Sequence, residues 1–260
     1  MTDKTPAELS GVPETLLWTL YQRAAEAARP DTPLRDSRAV QLVEAIDYPF
    51  EERFGGGGFG QWQALRARCF DLQVQAFMRE HPGGTVVALG EGLETQFWRV
   101  DNGHVDWVTV DLPEAIEVRE RLLPAGERRT LIARSAFDES WMDEVDGSAG
   151  VLITAQGLFM YFDFADVERL VGAIRRRFPG AAIVFDAVPR WLSNASRRGK
   201  LGDPARYQPP AWQWGMDGEK RRRLGAERLR PPRGRGFFFR YAAPLLPFGF
   251  VEVFRIQPGD

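Results

Sequence analysis

The sequence is poor in cysteine and histidine, and each shortage excludes a class of site. Cys69 is the single cysteine among 260 residues, so the chain has no internal disulfide and no cysteine-rich metal site. Two histidines, His81 and His104, are too few for a zinc site built on several histidines. They also leave few candidates for a Ser-His-Asp triad. We therefore predict no metal site.

The sequence also lacks a charge excess of one sign and a long apolar run. Its 34 basic residues are balanced by 36 acidic ones, giving a net charge of −2, which disfavours a nucleic-acid partner. No stretch approaches the roughly 18 apolar residues that cross a bilayer. The N-terminus lacks the apolar run of a signal peptide. We therefore expect a cytoplasmic protein that acts on a small molecule rather than on a membrane.

Short apolar runs alternate with helical patterns along most of the chain, which is typical of an α/β fold. Helical patterns fill most of the first eighty residues, and Asp36 is placed to cap the second helix. Later helical patterns separate the apolar runs, which predicts parallel strands. The predicted strands are 85–89, 105–110, 130–133, 151–155, 181–187, 236–241 and 249–256. Only a short connection joins the last two, so we expect an antiparallel strand at the C-terminus of a seven-stranded, mostly parallel sheet.

A glycine turn follows the first predicted strand. Gly90 and Gly92 allow the backbone to turn sharply and to approach a ligand closely. Asp111 ends the second predicted strand, where a carboxylate accepts hydrogen bonds from both hydroxyls of a ribose. Together they predict a nucleotide-like cofactor at the carboxyl edge of the sheet. A plain strand–helix turn, with Asp111 capping the helix that starts at Pro113, is the alternative.

The residues after the turn favour an adenosine ligand without phosphates. Dinucleotide sites usually have a third glycine where the pyrophosphate meets the helix, and this chain has Thr95 there. The acidic Glu91 and Glu94 also disfavour a diphosphate. S-adenosylmethionine is the common ligand of the remaining kind. An NAD(P)-dependent oxidoreductase on a similar sheet and a non-catalytic adenosyl-ligand binding protein remain as alternatives.

Five segments, in this order and spacing, resemble the leucine carboxyl methyltransferase family, and especially its bacterial branch of polyketide-type O-methyltransferases similar to the tetracenomycin one. The segments are 65–68, 86–99, 110–114, 135–141 and 156–161. The resemblance implies a Rossmann-like class I methyltransferase sheet in a single domain over 1–260. It implies an N-terminal helical lid (1–80), a cofactor-binding core (81–187), a substrate cap (188–235) and C-terminal strands (236–260).

The resemblance also implies a site for S-adenosylmethionine. Carried over by position, Arg68 holds the methionine carboxylate, Gly90 faces the methionine portion, and Asp111 binds the ribose. Gly92, in the same turn, is also a cofactor-binding position. The remaining positions are Ala136 and Phe137 beside the adenine, Gln156 after the fourth predicted strand, and Arg23 closing the lid.

The chain departs from the family's pattern at three places. Glu94-Thr95-Gln96 stands where the family commonly has Asp-Thr-Arg, Ala136 replaces an acidic residue, and Gln156 replaces the glutamate of Glu-Gly. We interpret these departures as drift within a working site rather than as a degenerate enzyme.

The shortage of histidine also bears on the methyl acceptor. A carboxylate is ionised at neutral pH and needs no general base, whereas a phenol usually does. We therefore expect an O-methyltransferase that acts on a small, aromatic or polyketide-like acceptor, with carboxylate favoured over phenol. Its candidate acceptor contacts are Tyr161, Arg190, Trp212 and Trp214, for which ordinary packing is the alternative role.

Overall fold

The computed structural model describes residues 5–6, 14–56, 59–202, 206–234 and 252–257. The helices are α1 (Thr15–Ala27), α2 (Ser37–Ala45), α3 (Phe50–Phe54), α4 (Gly60–Glu80), α5 (Gln96–Val100), α6 (Pro113–Leu122), α7 (Phe164–Arg177), α8 (Arg190–Arg197) and α9 (Gly218–Leu224). The strands are β1 (Thr5–Pro6), β2 (Ile46–Asp47), β3 (Thr85–Leu89), β4 (Asp106–Asp111), β5 (Arg129–Ala133), β6 (Val151–Ala155), β7 (Ala182–Ala187), β8 (Ala226–Arg228) and β9 (Glu252–Ile256). Two short 3₁₀ turns cover Glu139–Glu144 and Phe159–Tyr161.

The main sheet has seven strands in the order β5-β4-β3-β6-β7-β9-β8. Neighbours from β5 to β7 are parallel, while β9 is antiparallel to both β7 and β8. The predicted mostly parallel sheet with an antiparallel C-terminal strand is therefore confirmed. One of its two edge strands is β8, which was not predicted. The predicted strand 236–241 lies outside the described residues. The helical pattern between the third and fourth predicted strands forms only the short 3₁₀ segment Glu139–Glu144.

Helices cover both faces of the sheet. Successive side chains of a strand point to opposite faces, so the side chains on both faces of the central strands are buried. Val87 and Leu89 face α7, whereas Val86 and Ala88 face α4 and α5. This explains why the central strands are continuous apolar runs rather than alternating ones. Among the described residues, no helix combines the length and apolar character that crossing a bilayer requires.

The topology places a crevice at the carboxyl ends of β3 and β6. These strands are adjacent, and from β3 the sheet continues outward to β4 while from β6 it continues to β7. Such a switch point is where open α/β sheets bind their ligands.

Helix α1 lies over this crevice and packs against α2 and the loop that follows β3. Leu17 and Leu20 share a buried cluster with Leu93 of that loop. Asp36 caps α2 as predicted, since its carboxylate accepts the backbone N–H of Ala39 at 3.0 Å. At the start of α1, Glu14 accepts hydrogen bonds from the Arg53 guanidinium of α3. These contacts fix α1 over the sheet edge.

Candidate active site

A cavity of about 490 Å³ opens at the carboxyl ends of β3, β6 and β7. Its inner wall comes from the loops after these strands and from α4. Helices α1 and α3 cover it, and residues of the 188–212 segment close its outer side. The volume is that of a site for a small organic molecule.

The loop after β3 forms the floor of the cavity, and a backbone hydrogen bond to β4 holds it in place. Gly90 adopts a φ of +60°, which favours glycine, and its N–H donates to the Val110 carbonyl at 2.8 Å. A Cβ at this position would lie 2.7 Å from Leu158 Cδ1. Gly90 is thus required both by its φ and by the close packing around it.

Arg119 of α6 holds the same loop in place. Its guanidinium donates to the carbonyls of Gly92 at 2.6 Å and Glu94 at 2.9 Å, and it pairs with Glu91 at 2.9 Å. Burial raises the pKa of Glu91, and the Arg119 charge opposes that rise. Glu91 also accepts hydrogen bonds from the side chains of Trp107 and Thr109. Glu91 therefore anchors the loop.

Five charged side chains form a buried ionic cluster between α1, α4 and the loop. Its members are Arg23, Asp36, Asp71, Glu94 and Arg99. Glu94 pairs with Arg23 at 3.0 Å and with Arg99 at 2.7 Å. Burial raises the pKa of Glu94, but the two guanidinium groups outweigh that effect and lower it to about 2. The cluster ties the covering helix to the floor of the cavity.

The departure at Gln96 is accommodated within this cluster. The Gln96 amide donates to Asp71 at 3.0 Å, and Arg99 binds the same carboxylate with two nitrogens, at 2.9 and 3.0 Å. A guanidinium three positions further along the chain therefore provides the charge that an arginine at position 96 would bring. Thr95, at the place of the missing glycine, donates its hydroxyl to Asp36 at 2.7 Å.

Arg66 of α4 and Asp186 of β7 form an ion pair on the inner wall. Arg66 NH1 donates to Asp186 Oδ2 at 3.0 Å, and the Gly157 N–H donates to Asp186 Oδ1 at 2.5 Å. Among the described residues, Asp186 is the one hydrogen-bond partner of Arg66. Since a guanidinium has five N–H donors, several remain for a ligand.

Gln156 lies across from this pair at the end of β6. Its amide nitrogen donates to Glu94 Oε2 at 2.7 Å. Since the ionised Glu94 carboxylate only accepts hydrogen bonds, this fixes which end of the amide faces it. The amide oxygen is buried and has no partner in the described part of the chain.

Aromatic side chains dominate the outer half of the cavity. Trp18, Phe54, Tyr161, Tyr207 and Trp212 all line it. Tyr161 and Trp212 both pack against the buried cluster of Met160, Val188 and Leu192. Burial raises the pKa of Tyr161. Tyr207 stacks on Trp18 with ring centroids 6.3 Å apart. This half is suited to a flat, largely apolar molecule.

The structure brings some predicted site residues together in this cavity and leaves others outside. Gly90, Gln156, Arg23, Tyr161 and Trp212 line the cavity. The predicted residues that are not among its lining residues are Arg68, Gly92, Asp111, Ala136, Phe137, Arg190 and Trp214.

The position of Arg68 bears on the prediction that its guanidinium holds the methionine carboxylate. Arg68 is half-buried and does not line the cavity, whereas Arg66 does. Residues two positions apart on an α-helix are separated by about 200° around its axis, so the guanidinium groups of Arg66 and Arg68 leave α4 on nearly opposite sides. Arg66 was missed by the sequence analysis, although it lies within the segment that carries the resemblance.

Two predicted acceptor contacts also lie elsewhere. Trp214 is buried in the core, where its N–H donates to the Phe159 carbonyl at 3.1 Å and its ring packs on Phe164. Arg190 is exposed at the start of α8. Asp186 was also missed, and its signal was a carboxylate inside an otherwise apolar strand.

The residues predicted for the adenosine portion lie beside the cavity, toward β4 and β5. Asp111 accepts backbone N–H bonds from Gly92 at 2.7 Å and from Leu112 at 2.8 Å. Burial raises the pKa of Asp111. Ala136 is buried and its carbonyl accepts the Trp141 N–H at 3.0 Å, while the Phe137 ring packs on Phe162. Because a carboxylate has about four acceptor positions, Asp111 retains capacity for two further hydroxyl donors.

Comparison with known proteins shows which family this chain is similar to. A family model described as leucine carboxyl methyltransferase matches residues 17–175. The tetracenomycin polyketide synthesis O-methyltransferase TcmP of Streptomyces glaucescens is 34% identical over 209 residues, covering 80% of this chain and 76% of that protein.

A second relative and a solved structure extend the comparison over nearly the whole chain. The S-adenosyl-L-methionine-dependent methyltransferase dpfgK of Gibberella zeae is 28% identical, covering 99% of this chain and 93% of that protein. An O-methyltransferase family protein from Burkholderia thailandensis superposes with a TM-score of 0.51 at 13% identity, covering 95% of this chain and 70% of that one. At this identity the structural likeness shows the fold alone, and it is the expected Rossmann-like methyltransferase fold.

Proposed function

Since the chain belongs to the leucine carboxyl methyltransferase family, and is thus a methyltransferase that uses S-adenosylmethionine, we propose that it methylates a carboxylate oxygen of an aromatic or polyketide-like acceptor. The observation that carries this proposal is the state of the acidic groups in the cavity. Among the described residues, its lining includes three carboxylates, those of Glu91, Glu94 and Asp186, and no histidine.

Each of these carboxylates is already engaged. Glu91 is paired with Arg119, Glu94 with Arg23 and Arg99, and Asp186 with Arg66. The guanidinium groups occupy acceptor positions of these carboxylates, so fewer remain to receive the proton that a phenol or an ammonium acceptor must lose to react. A carboxylic acid is already ionised at neutral pH, so it requires no base. The cavity therefore favours a carboxylate acceptor.

The inner half of the cavity fits the methionine portion of the cofactor. Arg66 offers a planar fork of donors to the cofactor carboxylate, and its charge is held in place by Asp186. The unpartnered amide oxygen of Gln156 is a matching acceptor for the cofactor ammonium. Gly90 leaves the space between them, because any side chain there would collide with Leu158. Arg66 thus takes the role that the resemblance gave to Arg68.

The adenosine portion fits the edge of the sheet next to this half. We place its ribose at Asp111, whose remaining acceptor positions suit two hydroxyl groups, and its adenine near Ala136 and Phe137. Arg23 acts as part of the buried ionic cluster, where it ties the covering helix α1 to Leu93 and Glu94 of the loop after β3.

The bound cofactor supplies an electrophilic methyl group on a sulfonium, and the chain supplies alignment and exclusion of water. Helix α1 shields the reacting atoms from solvent. The aromatic outer half of the cavity holds the acceptor's apolar body and directs its carboxylate toward Arg66 and Tyr161. Methyl transfer neutralises the acceptor's charge, so the ester product binds these polar groups less well than the acid does.

The test is transfer of a labelled methyl group from S-adenosylmethionine to matched pairs of aromatic acids and phenols, such as 2-naphthoate and 2-naphthol. We expect labelled ester from the acid and little ether from the phenol across pH 6–8. Preferential ether formation would refute the carboxylate preference. Cofactor binding without transfer to any acid, phenol or peptide C-terminus would instead support a non-catalytic binding protein.

A further inference from the structure

The Tyr207 hydroxyl is a buried polar group in the outer half of the cavity. Tyr207 lines the cavity, and its hydroxyl oxygen is buried without a hydrogen-bond partner in the described part of the chain. Burial raises the pKa of Tyr207, so the hydroxyl stays protonated at neutral pH. A tyrosine hydroxyl both donates and accepts hydrogen bonds, and leaving it buried and unpaired costs free energy. A ligand that pairs with this hydroxyl would remove that cost.

Two ring contacts hold the Tyr207 side chain in place. Its ring stacks on that of Trp18 in α1, with centroids 6.3 Å apart and an interplanar angle of 22°. The Phe54 ring of α3 meets it edge-on, with centroids 5.1 Å apart and an interplanar angle of 83°. Both are favourable arrangements of aromatic pairs. A phenylalanine could make the same ring contacts without burying an unpaired hydroxyl, so packing alone does not explain the tyrosine.

Tyr207 lies in the part of the cavity that the proposed function gives to the acceptor. The cofactor's methionine portion is placed in the inner half at Arg66, and its ribose at Asp111. Tyr207 instead contacts the covering helices α1 and α3, through Trp18 and Phe54. Those two rings line the cavity together with Tyr207. The ligand group that meets the Tyr207 hydroxyl therefore belongs to the acceptor's ring system rather than to the cofactor.

We propose that Tyr207 is a specificity-determining residue whose hydroxyl forms a hydrogen bond with a hydroxyl or carbonyl oxygen on the acceptor's ring system. The preferred acceptor is then an oxygenated aromatic acid rather than a purely hydrocarbon one. Either oxygen fits, because the tyrosine hydroxyl can donate to a carbonyl and can donate to or accept from a hydroxyl. A hydrogen or methyl substituent at the same place leaves the Tyr207 hydroxyl unpaired. The inference rests on the proposed function and specifies the class of its acceptor.

The experiment measures binding to the complex of the full chain with S-adenosylhomocysteine, by calorimetric titration. The probes are 2-naphthoate, its 5-, 6- and 7-hydroxy derivatives, and the corresponding methyl derivatives. A methyl group resembles a hydroxyl in size but forms no hydrogen bond. We expect at least one hydroxy derivative to bind the wild type roughly 3- to 10-fold more tightly than both 2-naphthoate and its own methyl counterpart, as one neutral hydrogen bond implies.

The variants are Tyr207→Phe and a matched control, Tyr21→Phe. Tyr207→Phe keeps the ring contacts with Trp18 and Phe54 but removes the hydroxyl, so it should lose the preference for the hydroxy derivative and still bind 2-naphthoate. Its Tm should not fall, because the hydroxyl has no partner within the described ranges to lose. Tyr21 stacks on Phe50 with centroids 5.5 Å apart and is not among the lining residues of the cavity, so Tyr21→Phe should keep the full preference.

The outcomes separate this inference from the proposed function. A wild type that binds every hydroxy derivative no better than 2-naphthoate would overturn the role of Tyr207, and so would an undiminished preference in Tyr207→Phe. A Tm of Tyr207→Phe well below that of the wild type would also overturn it, because the hydroxyl would then have a partner within the protein. Labelled ester from 2-naphthoate in either case would leave the proposed function standing. Failure of the wild type to bind S-adenosylhomocysteine would count against the proposed function itself.

Discussion

Arg66→Lys tests which guanidinium of α4 holds the cofactor carboxylate. Lysine keeps the positive charge beside Asp186 but lacks the planar fork that binds a carboxylate with two nitrogens. In the structure, one N–H of Arg66 is used by Asp186 at 3.0 Å and the others remain for the ligand. Losing one charge-assisted hydrogen bond costs about 1.5–3 kcal/mol. We therefore expect the Kd for S-adenosylmethionine to rise roughly 10- to 150-fold.

Arg68→Lys is the matched control, because it makes the same change two residues further along the same helix. Arg68 does not line the cavity, so its replacement should change binding by no more than about 0.5 kcal/mol, or about twofold. Lysine and arginine have similar helix propensities, so α4 should persist in both variants. Asp186 keeps the Gly157 N–H and a nearby cation in Arg66→Lys, which limits the loss of stability.

The assay is calorimetric titration of each variant with S-adenosylmethionine and S-adenosylhomocysteine, with thermal denaturation measured alongside. Weaker binding by Arg66→Lys at nearly unchanged Tm would support the assignment. Unchanged affinity in Arg66→Lys would refute it. Weaker binding by Arg68→Lys alone would restore the role that the family resemblance implied for Arg68.

Two further predictions concern the loop and the buried ionic cluster. Gly90→Ala should weaken cofactor binding and lower Tm by more than Gly103→Ala does, since both have a positive φ but only Gly90 lacks space for a Cβ; equal losses of Tm and equal cofactor affinities would mean that backbone strain alone matters. Glu94→Gln should destabilise the fold by about 3–5 kcal/mol at pH 7, because Arg23 and Arg99 lose a buried partner. The folded-state pKa of Glu94 is about 2, below its usual 4.5, so its stabilisation is complete above about pH 4.5 and is lost as the pH falls toward 2. Urea denaturation from pH 2 to 7 should therefore show a steeper pH dependence for the wild type than for Glu94→Gln, and equal slopes would contradict the assignment; the exposed Glu114→Gln is the control.

The sequence was sufficient to predict the sheet and the loop after β3. Buried parallel strands require continuous apolar runs, and five of the seven predicted strands match strands of the sheet within about two residues, which is the usual uncertainty in element ends. The glycine turn was predictable because Gly90 and Gly92 both adopt positive φ, which few other residues tolerate. These features depend on neighbouring residues, so local pattern determines them.

Only the tertiary structure decided which side chains meet at the site. Helix α4 packs between α1 and the sheet, and residues 63–67 are all buried, so its periodicity indicates no single inward face. The choice between Arg66 and Arg68 therefore depends on the docking of the whole helix. The Arg66–Asp186 pair joins residues 120 positions apart. Trp212, from a segment with weak periodicity, packs against the same buried cluster as Tyr161. Such contacts arise from the packing of distant elements, and local sequence pattern carries no information about them.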